Sequence, residues 1–189
     1  RHQSELNYWL VACADNKVST RKFYTETSST YVEVDNNLVL LSNENGLVRT
    51  SEQSGYNHLY VVGFDGSSTA ITKGEWDVIE YLGIDEAQNL LYYASAEPGA
   101  IYKSIYSIRL DGTDQKMIST AYGYHNATFL KGMKYFIDSY SNANTPPVIT
   151  LRKANGELVR TLEDNAALVD KMKNERLSRK TFLTITTPD

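Results

Sequence analysis

HLYVVGF-DG-SSTAITKG, His58 to Gly74, reads as two β-rich runs joined by a tight turn. Asp-Gly supplies the positive φ values that a short hairpin needs. The same module returns twice. SIYSIRL (Ser104 to Leu110) leads through Asp111-Gly112 to QKMIST (Gln115 to Thr120), and VITLRKA (Val148 to Ala154) leads through Asn155-Gly156 to ELVRTLE (Glu157 to Glu163). The three turns lie 46 and 44 residues apart. A period near 45 built from short strands is the size of a β-propeller blade. The fold class is therefore all-β: a partial β-propeller of about three complete four-stranded blades plus half a blade, with a short C-terminal helix and a linker strand.

Working outward, Tyr8 to Ala14, a turn at Asp15-Asn16-Lys17 and Thr20 to Thr27 read as the outer half of a blade over residues 5–30. Full blades are expected over 34–74, 75–121 and 124–164. Their strands are Leu38 to Ser42, Leu47 to Glu52, His58 to Phe64 and Thr69 to Lys73. Next come Val78 to Ile84, Leu91 to Ala96, Ser104 to Leu110 and Lys116 to Thr120. The last set is Ala127 to Leu130, Lys134 to Tyr140, Val148 to Lys153 and Leu158 to Leu162. Pro146 and Pro147 are expected just before a strand, where a missing N–H is harmless. After Asp164-Asn165, a good N-cap pair, Ala167, Leu168 and Met172 fall at helical spacing, which predicts a helix from Ala166 to Lys173. Thr181 to Thr186 alternates like a strand. Residues 1–164 thus read as the propeller segment and 165–189 as a helix and linker toward a further domain. Both ends read as cuts inside a larger protein.

Composition bounds the rest. The chain has 189 residues, 41% hydrophobic and 22% charged, with 14 tyrosines. That balance suits a packed globular core. A net charge of −4 argues against a nucleic-acid surface, which is normally basic. No apolar run approaches the length of a membrane span, and no signal-peptide pattern opens the chain. Cys13, the single cysteine, excludes an internal disulfide and reads as an inert buried thiol.

Longer motifs carry a family resemblance. SEQSGYNHLYV (Ser51 to Val61), ITKGEWDV (Ile71 to Val78), LLYYASAE (Leu90 to Glu97), YFIDSYSNANTPPV (Tyr135 to Val148) and RTLEDNAAL (Arg160 to Leu168) occur in one order. In that order they resemble the N-terminal propeller domain of the dipeptidyl peptidase IV family, in the prolyl oligopeptidase superfamily of serine peptidases. Two of them match the bacterial branch. The resemblance implies an eight-bladed propeller over an α/β-hydrolase domain that removes N-terminal Xaa-Pro or Xaa-Ala dipeptides. It also implies a homodimeric whole protein, periplasmic or exported, whose peptide substrate meets the hydrolase domain. In the family a loop near Glu33, Val34 and Asp35 reaches the substrate cleft, so these three are the substrate-lining candidates. The 189 residues hold no Gly-x-Ser-x-Gly nucleophile elbow, so no catalytic residue is assigned to this chain. The chain alone is expected to be inactive and to serve gating and scaffolding.

The remaining chemistry is sparse. His2, His58 and His125 show no metal-ligand spacing, and no cysteine cluster exists, so neither a metal nor a cofactor is expected. His58, inside the repeated motif, reads as a structural side chain. His125 reads as a surface residue of a turn. Asp35, Glu44, Glu52 and Asp85 lack the D-x-D-x-D-G arrangement of a calcium loop. Trp76 sits in K-G-E-W-D-V and reads as blade packing rather than a ligand stacker, the role that Trp9 also invites. Asn126-Ala127-Thr128 is a glycosylation sequon, used only in a secreted eukaryotic protein. The alternative function is a non-enzymatic propeller that serves as a protein-interaction platform, since propellers host many functions. The exit through LEDN, a helix and TTPD favours the peptidase. A cut ring would expose blade faces and a strand edge, so the isolated chain is expected to self-associate.

Overall fold

The computed structural model describes residues 3–34, 37–42, 45–175 and 177–186. Among the described residues, fourteen strands and one helix form in chain order. β1 (Glu5–Ala14) and β2 (Lys17–Thr27) pair as a two-stranded hairpin through a turn at Asp15 and Asn16, both at positive φ. Three four-stranded antiparallel meanders follow. The first holds β3 (Val39–Leu40), β4 (Gly46–Ser51), β5 (His58–Gly63) and β6 (Ser68–Ala70). The second holds β7 (Val78–Asp85), β8 (Leu90–Ser95), β9 (Ser104–Arg109) and β10 (Lys116–Met117). The third holds β11 (Tyr124–Phe129), β12 (Tyr135–Asn142), β13 (Thr145–Lys153) and β14 (Leu158–Glu163). The partial propeller expected from the repeat is the observed architecture.

The core lies between sheets, which explains the apolar runs of their middle strands. Alternate residues of a strand face opposite sides, so a sheet packed on both faces needs apolar residues at successive positions. Leu47, Tyr60 and Val62 pack toward Phe23 and Tyr24 of the hairpin. Their neighbours Val48 and Leu59 pack with Leu91, Tyr93 and Tyr106 of the second sheet. Tyr92 and Ile105, each one residue from those, face Phe136 of the third sheet. Trp76 does pack within this stack. It stands edge-on to His58 at 4.9 Å and parallel to Tyr93 at 6.3 Å.

The turn glycines serve a second purpose beyond hairpin geometry. A Cβ on Gly66 would lie 2.8 Å from Phe23 O of β2, and one on Gly112 would lie 3.0 Å from Ile71 O, just past β6. A Cβ on Gly156 would crowd Ile118 O, just past β10, more closely still. Each turn therefore rests on the outermost strand of the preceding sheet.

Several expectations need correction. Cys13 is exposed, because it pairs with Val18 beside the turn of a hairpin that no third strand flanks among the described residues. Pro146 and Pro147 lie inside β13, at the bulge where its register with β12 shifts between Tyr140 and Asn142. The helix, α1 (Ala166–Asn174), forms one residue longer than expected. Asn165 stands at its N-cap but in the left-handed region, without a side-chain cap bond. Its amide instead donates to Pro147 O, while Asp164 Oδ1 accepts from Ala166 N. Thr181 to Thr186 forms no strand, since alternation cannot make one without a paired neighbour.

Candidate functional site

Antiparallel meanders sort their connections by end. The turns between first and second and between third and fourth strands lie at one end of each sheet. The links between second and third strands, and from one sheet to the next, lie at the other. That second end gathers residues 28–34, 37–38, 52–57, 71–77, 96–103, 118–123 and 142–145, together with the segment that leaves β14. The tight Asx-Gly turns occupy the opposite end. Side chains on long, surface connections are the ones a rigid scaffold offers to ligands.

A cleft of about 540 Å³ opens at this end, between the hairpin and the first four-stranded sheet. Glu33 and Val34 line it, both exposed, and Glu52 stands on its rim. Asp35 lies outside the described residues, as do His2 and Glu44. The wall carrying Glu33 and Val34 is fixed by Val32, which is buried. Val32 N donates to Gln3 O at 2.8 Å, and Gln3 Nε2 donates to Val32 O at 3.2 Å.

The floor is an ion pair that sequence reading missed. Glu26 of β2 and Arg49 of β4 meet with side-chain exposures of 7% and 2%. Ser51 Oγ donates to the other Glu26 oxygen, and Arg49 Nε donates to Thr50 O at 3.0 Å. The guanidinium also lies 4.8 Å over the Tyr8 ring. Arg49 sits in LVRTS, where alternation marks a core position, and a charge at a core position signals a partner. The identity of that partner, 23 residues away in another sheet, carries no local signal. Because Glu26 neutralises Arg49, the cleft's outward charge comes from Glu33 and Glu52. Exposed carboxylates of this kind accept hydrogen bonds from amides or ammonium groups.

The histidines are structural. His58 Nδ1 lies 3.0 Å from Thr72 Oγ1 and Nε2 lies 3.0 Å from Gly74 O. Gly74 O can only accept, so Nε2 donates. Thr72 Oγ1, which accepts Leu59 N at 3.0 Å, then donates to Nδ1. His125, expected at the surface, is 1% exposed. It is the second residue of β11, on the same sheet face as Asp138 of β12. Nδ1 lies 2.9 Å and 3.0 Å from the two Asp138 carboxylate oxygens, and Nε2 lies 2.9 Å from Ala121 O. Both ring nitrogens thus lie within hydrogen-bond reach of oxygen atoms. Arg152 Nε lies 3.6 Å from the same carboxylate. Lys103, 4% exposed, donates to Glu80 at 2.6 Å and to the sequon residue Asn126 at 2.9 Å, tying the second sheet to the third.

At the opposite end, the Ser67 hydroxyl and N–H hold the Asp65 carboxyl below the usual carboxylate range. Thr113 does the same for Asp111. Asp85 ends β7, and its carboxylate accepts from Gln88 in the turn that follows. Among the described residues, no three His, Cys, Asp or Glu side chains converge as metal ligands. No helix there is long and apolar enough to cross a membrane.

Comparison with known proteins agrees with this architecture. Residues 1–147 match the family described as the dipeptidyl peptidase IV (DPP IV) N-terminal region. The chain is 30% identical over 176 residues to the dipeptidyl peptidase 4 of Trichophyton rubrum, covering 88% of this chain and 23% of that protein. It is 31% identical over 145 residues to the dipeptidyl peptidase 4 of Arthroderma otae, covering 75% and 19%. The crystal structure of Porphyromonas gingivalis dipeptidyl peptidase 4 superposes with a TM-score of 0.78 at 28% identity, covering 88% of this chain and 24% of that one. The chain thus spans less than a quarter of the length of each.

Proposed function

Since the chain belongs to the dipeptidyl peptidase IV N-terminal region family, we propose that it is the part of a peptidase propeller that shields and selects at the catalytic site. The whole enzyme removes N-terminal Xaa-Pro or Xaa-Ala dipeptides through a serine triad carried by another domain. This segment contributes no nucleophile. Its work is steric and electrostatic: a roof admits short peptides, excludes folded proteins and limits water at the reacting bond. On this reading residues 1–164 are the propeller segment and 165–189 lead toward the hydrolase domain. The whole protein is an exported or periplasmic homodimer.

The observation that carries the reading is the gathering of every long connection, the polar cleft and the departing chain at one end of the sheets. A catalytic domain reached through the segment after β14 would face that end. The tail supports it, since Leu177, Phe182, Leu183 and Ile185 are exposed by 62% to 84% and call for an apolar partner surface. Glu33 and Val34 are then the residues that approach bound peptide.

The test uses a longer polypeptide that carries this segment, assayed on a Gly-Pro anilide. Glu33→Ala is expected to raise KM by about threefold to tenfold with kcat nearly unchanged, the loss of one hydrogen bond to bound substrate. An unchanged KM would show that Glu33 makes no contact with bound substrate.

A further inference from the structure

The segment after β14 is held against the third sheet at two separated points. The first is the Asn165 amide on Pro147 O, near the start of β13. The second lies at the adjoining hairpin tip. Asn144 Nδ2 donates to Lys180 O at 3.0 Å, and Lys180 N donates to Asn144 Oδ1 at 2.8 Å. A side-chain amide so placed reproduces the two bonds of a strand bridge across 36 residues of sequence. Nothing in helix α1 is buried, so packing of the helix does not fix where the chain goes next.

The hairpin tip is itself braced. Asn144 N donates to Asn142 Oδ1 at 2.9 Å, and Asn142 Nδ2 donates to Tyr140 Oη at 2.8 Å. Tyr140 Oη donates to Tyr122 O at 3.3 Å, and the Tyr140 ring lies 4.8 Å from that of His125. The line of contacts thus ends on the buried His125–Asp138 pair. Beside the clasp, Arg179 and Phe182 face Tyr102 and Tyr122 across a cavity of about 360 Å³.

We propose that Asn144 is a positioning residue: its amide clasps the backbone of Lys180 and sets the direction in which residues 177–186 leave the propeller. Its consequence for catalysis rests on the peptidase reading above, whereas the clasp itself does not. In the peptidase, the direction of this segment sets how the propeller end sits over the neighbouring domain.

Amide hydrogen exchange of the full 189-residue chain, read residue by residue, tests the clasp. The Lys180 amide is expected to be protected, and Asn144→Ala to speed its exchange by about fivefold to tenfold, the effect of freeing one weak hydrogen-bonded pair. Asn144→Asp keeps the acceptor oxygen and is expected to restore part of the protection. The amides of Ile149 and Leu151 in β13 should not change in either variant. Trypsin should cut after Arg179 and Lys180 faster in Asn144→Ala than in the parent chain. Equal Lys180 exchange in the parent and Asn144→Ala would overturn the proposal. So would a loss of protection spread through β13, which would make Asn144 merely structural. Absent peptidase activity in a longer polypeptide would instead count against the peptidase reading and leave the clasp standing.

Discussion

At the scale of single residues, the Glu26–Arg49 pair bears most weight because it joins the hairpin to the first four-stranded sheet beneath the cleft. Removing one buried partner leaves the other charged and dry, so Arg49→Ala is expected to cost about 3 kcal/mol in denaturant unfolding. Replacing both, with Glu26→Leu and Arg49→Met, should cost less than the sum of the singles, because no charge is stranded. Additive losses would show that the two do not act as a pair. Arg49 went unremarked in the sequence although it follows apolar Leu47 and Val48 in LVRTS, and its partner carries no local signal. His125 was misread for a related reason. Gly123 and Asn126 flank it like turn residues, yet it enters β11 and its burial depends on Asp138, which lies 13 residues on. Local sequence reports which residues need a partner. It does not report which residue supplies one.

At the scale of elements, the repeated hairpin was the most legible part of the chain, because Asx-Gly turns and alternation are local properties. What the motif did not reveal is that its glycine also makes room for the neighbouring sheet's backbone. A Cβ at Gly156 meets both a positive φ of 90° and Ile118 O. Gly132 has a similar φ of 85° with nothing within 4 Å, so it serves as the control. Gly156→Ala is expected to cost about 3 kcal/mol and Gly132→Ala about 1 kcal/mol, measured by thermal or denaturant unfolding. Equal losses would reduce the Gly156 effect to turn geometry alone. The closing strand failed for the opposite reason. Thr181 to Thr186 has the alternation of a strand, but a strand exists only as a pairing, and no described neighbour supplies one. Cys13 was misjudged similarly, since apolar neighbours imply burial only when a sheet covers them.

At the scale of the whole molecule, the period near 45 fixed the architecture, and the family motifs carried the family. Glu33 and Val34 were singled out only through that resemblance, because nothing in their composition distinguishes them, and both do line the cleft. The hairpin leaves β1 with one partner among the described residues, and Trp9, Val11 and Val18 are exposed by 56% to 68%. An open edge with apolar flanks favours pairing between chains. Light scattering of the isolated chain is expected to show a mass that rises with concentration, and Trp9→Lys to return it toward the 21.3 kDa of one chain. A concentration-independent monomer would contradict this. The proposed role, selecting substrate for a catalytic centre on another domain, separates the segment from the chemistry. The most direct measurement is release of Gly-Pro from a chromogenic anilide by a longer polypeptide carrying the segment and by the 189-residue chain alone. Turnover by the longer polypeptide and none by the 189-residue chain is expected. Turnover by the chain alone, or none by the longer polypeptide, would contradict that role.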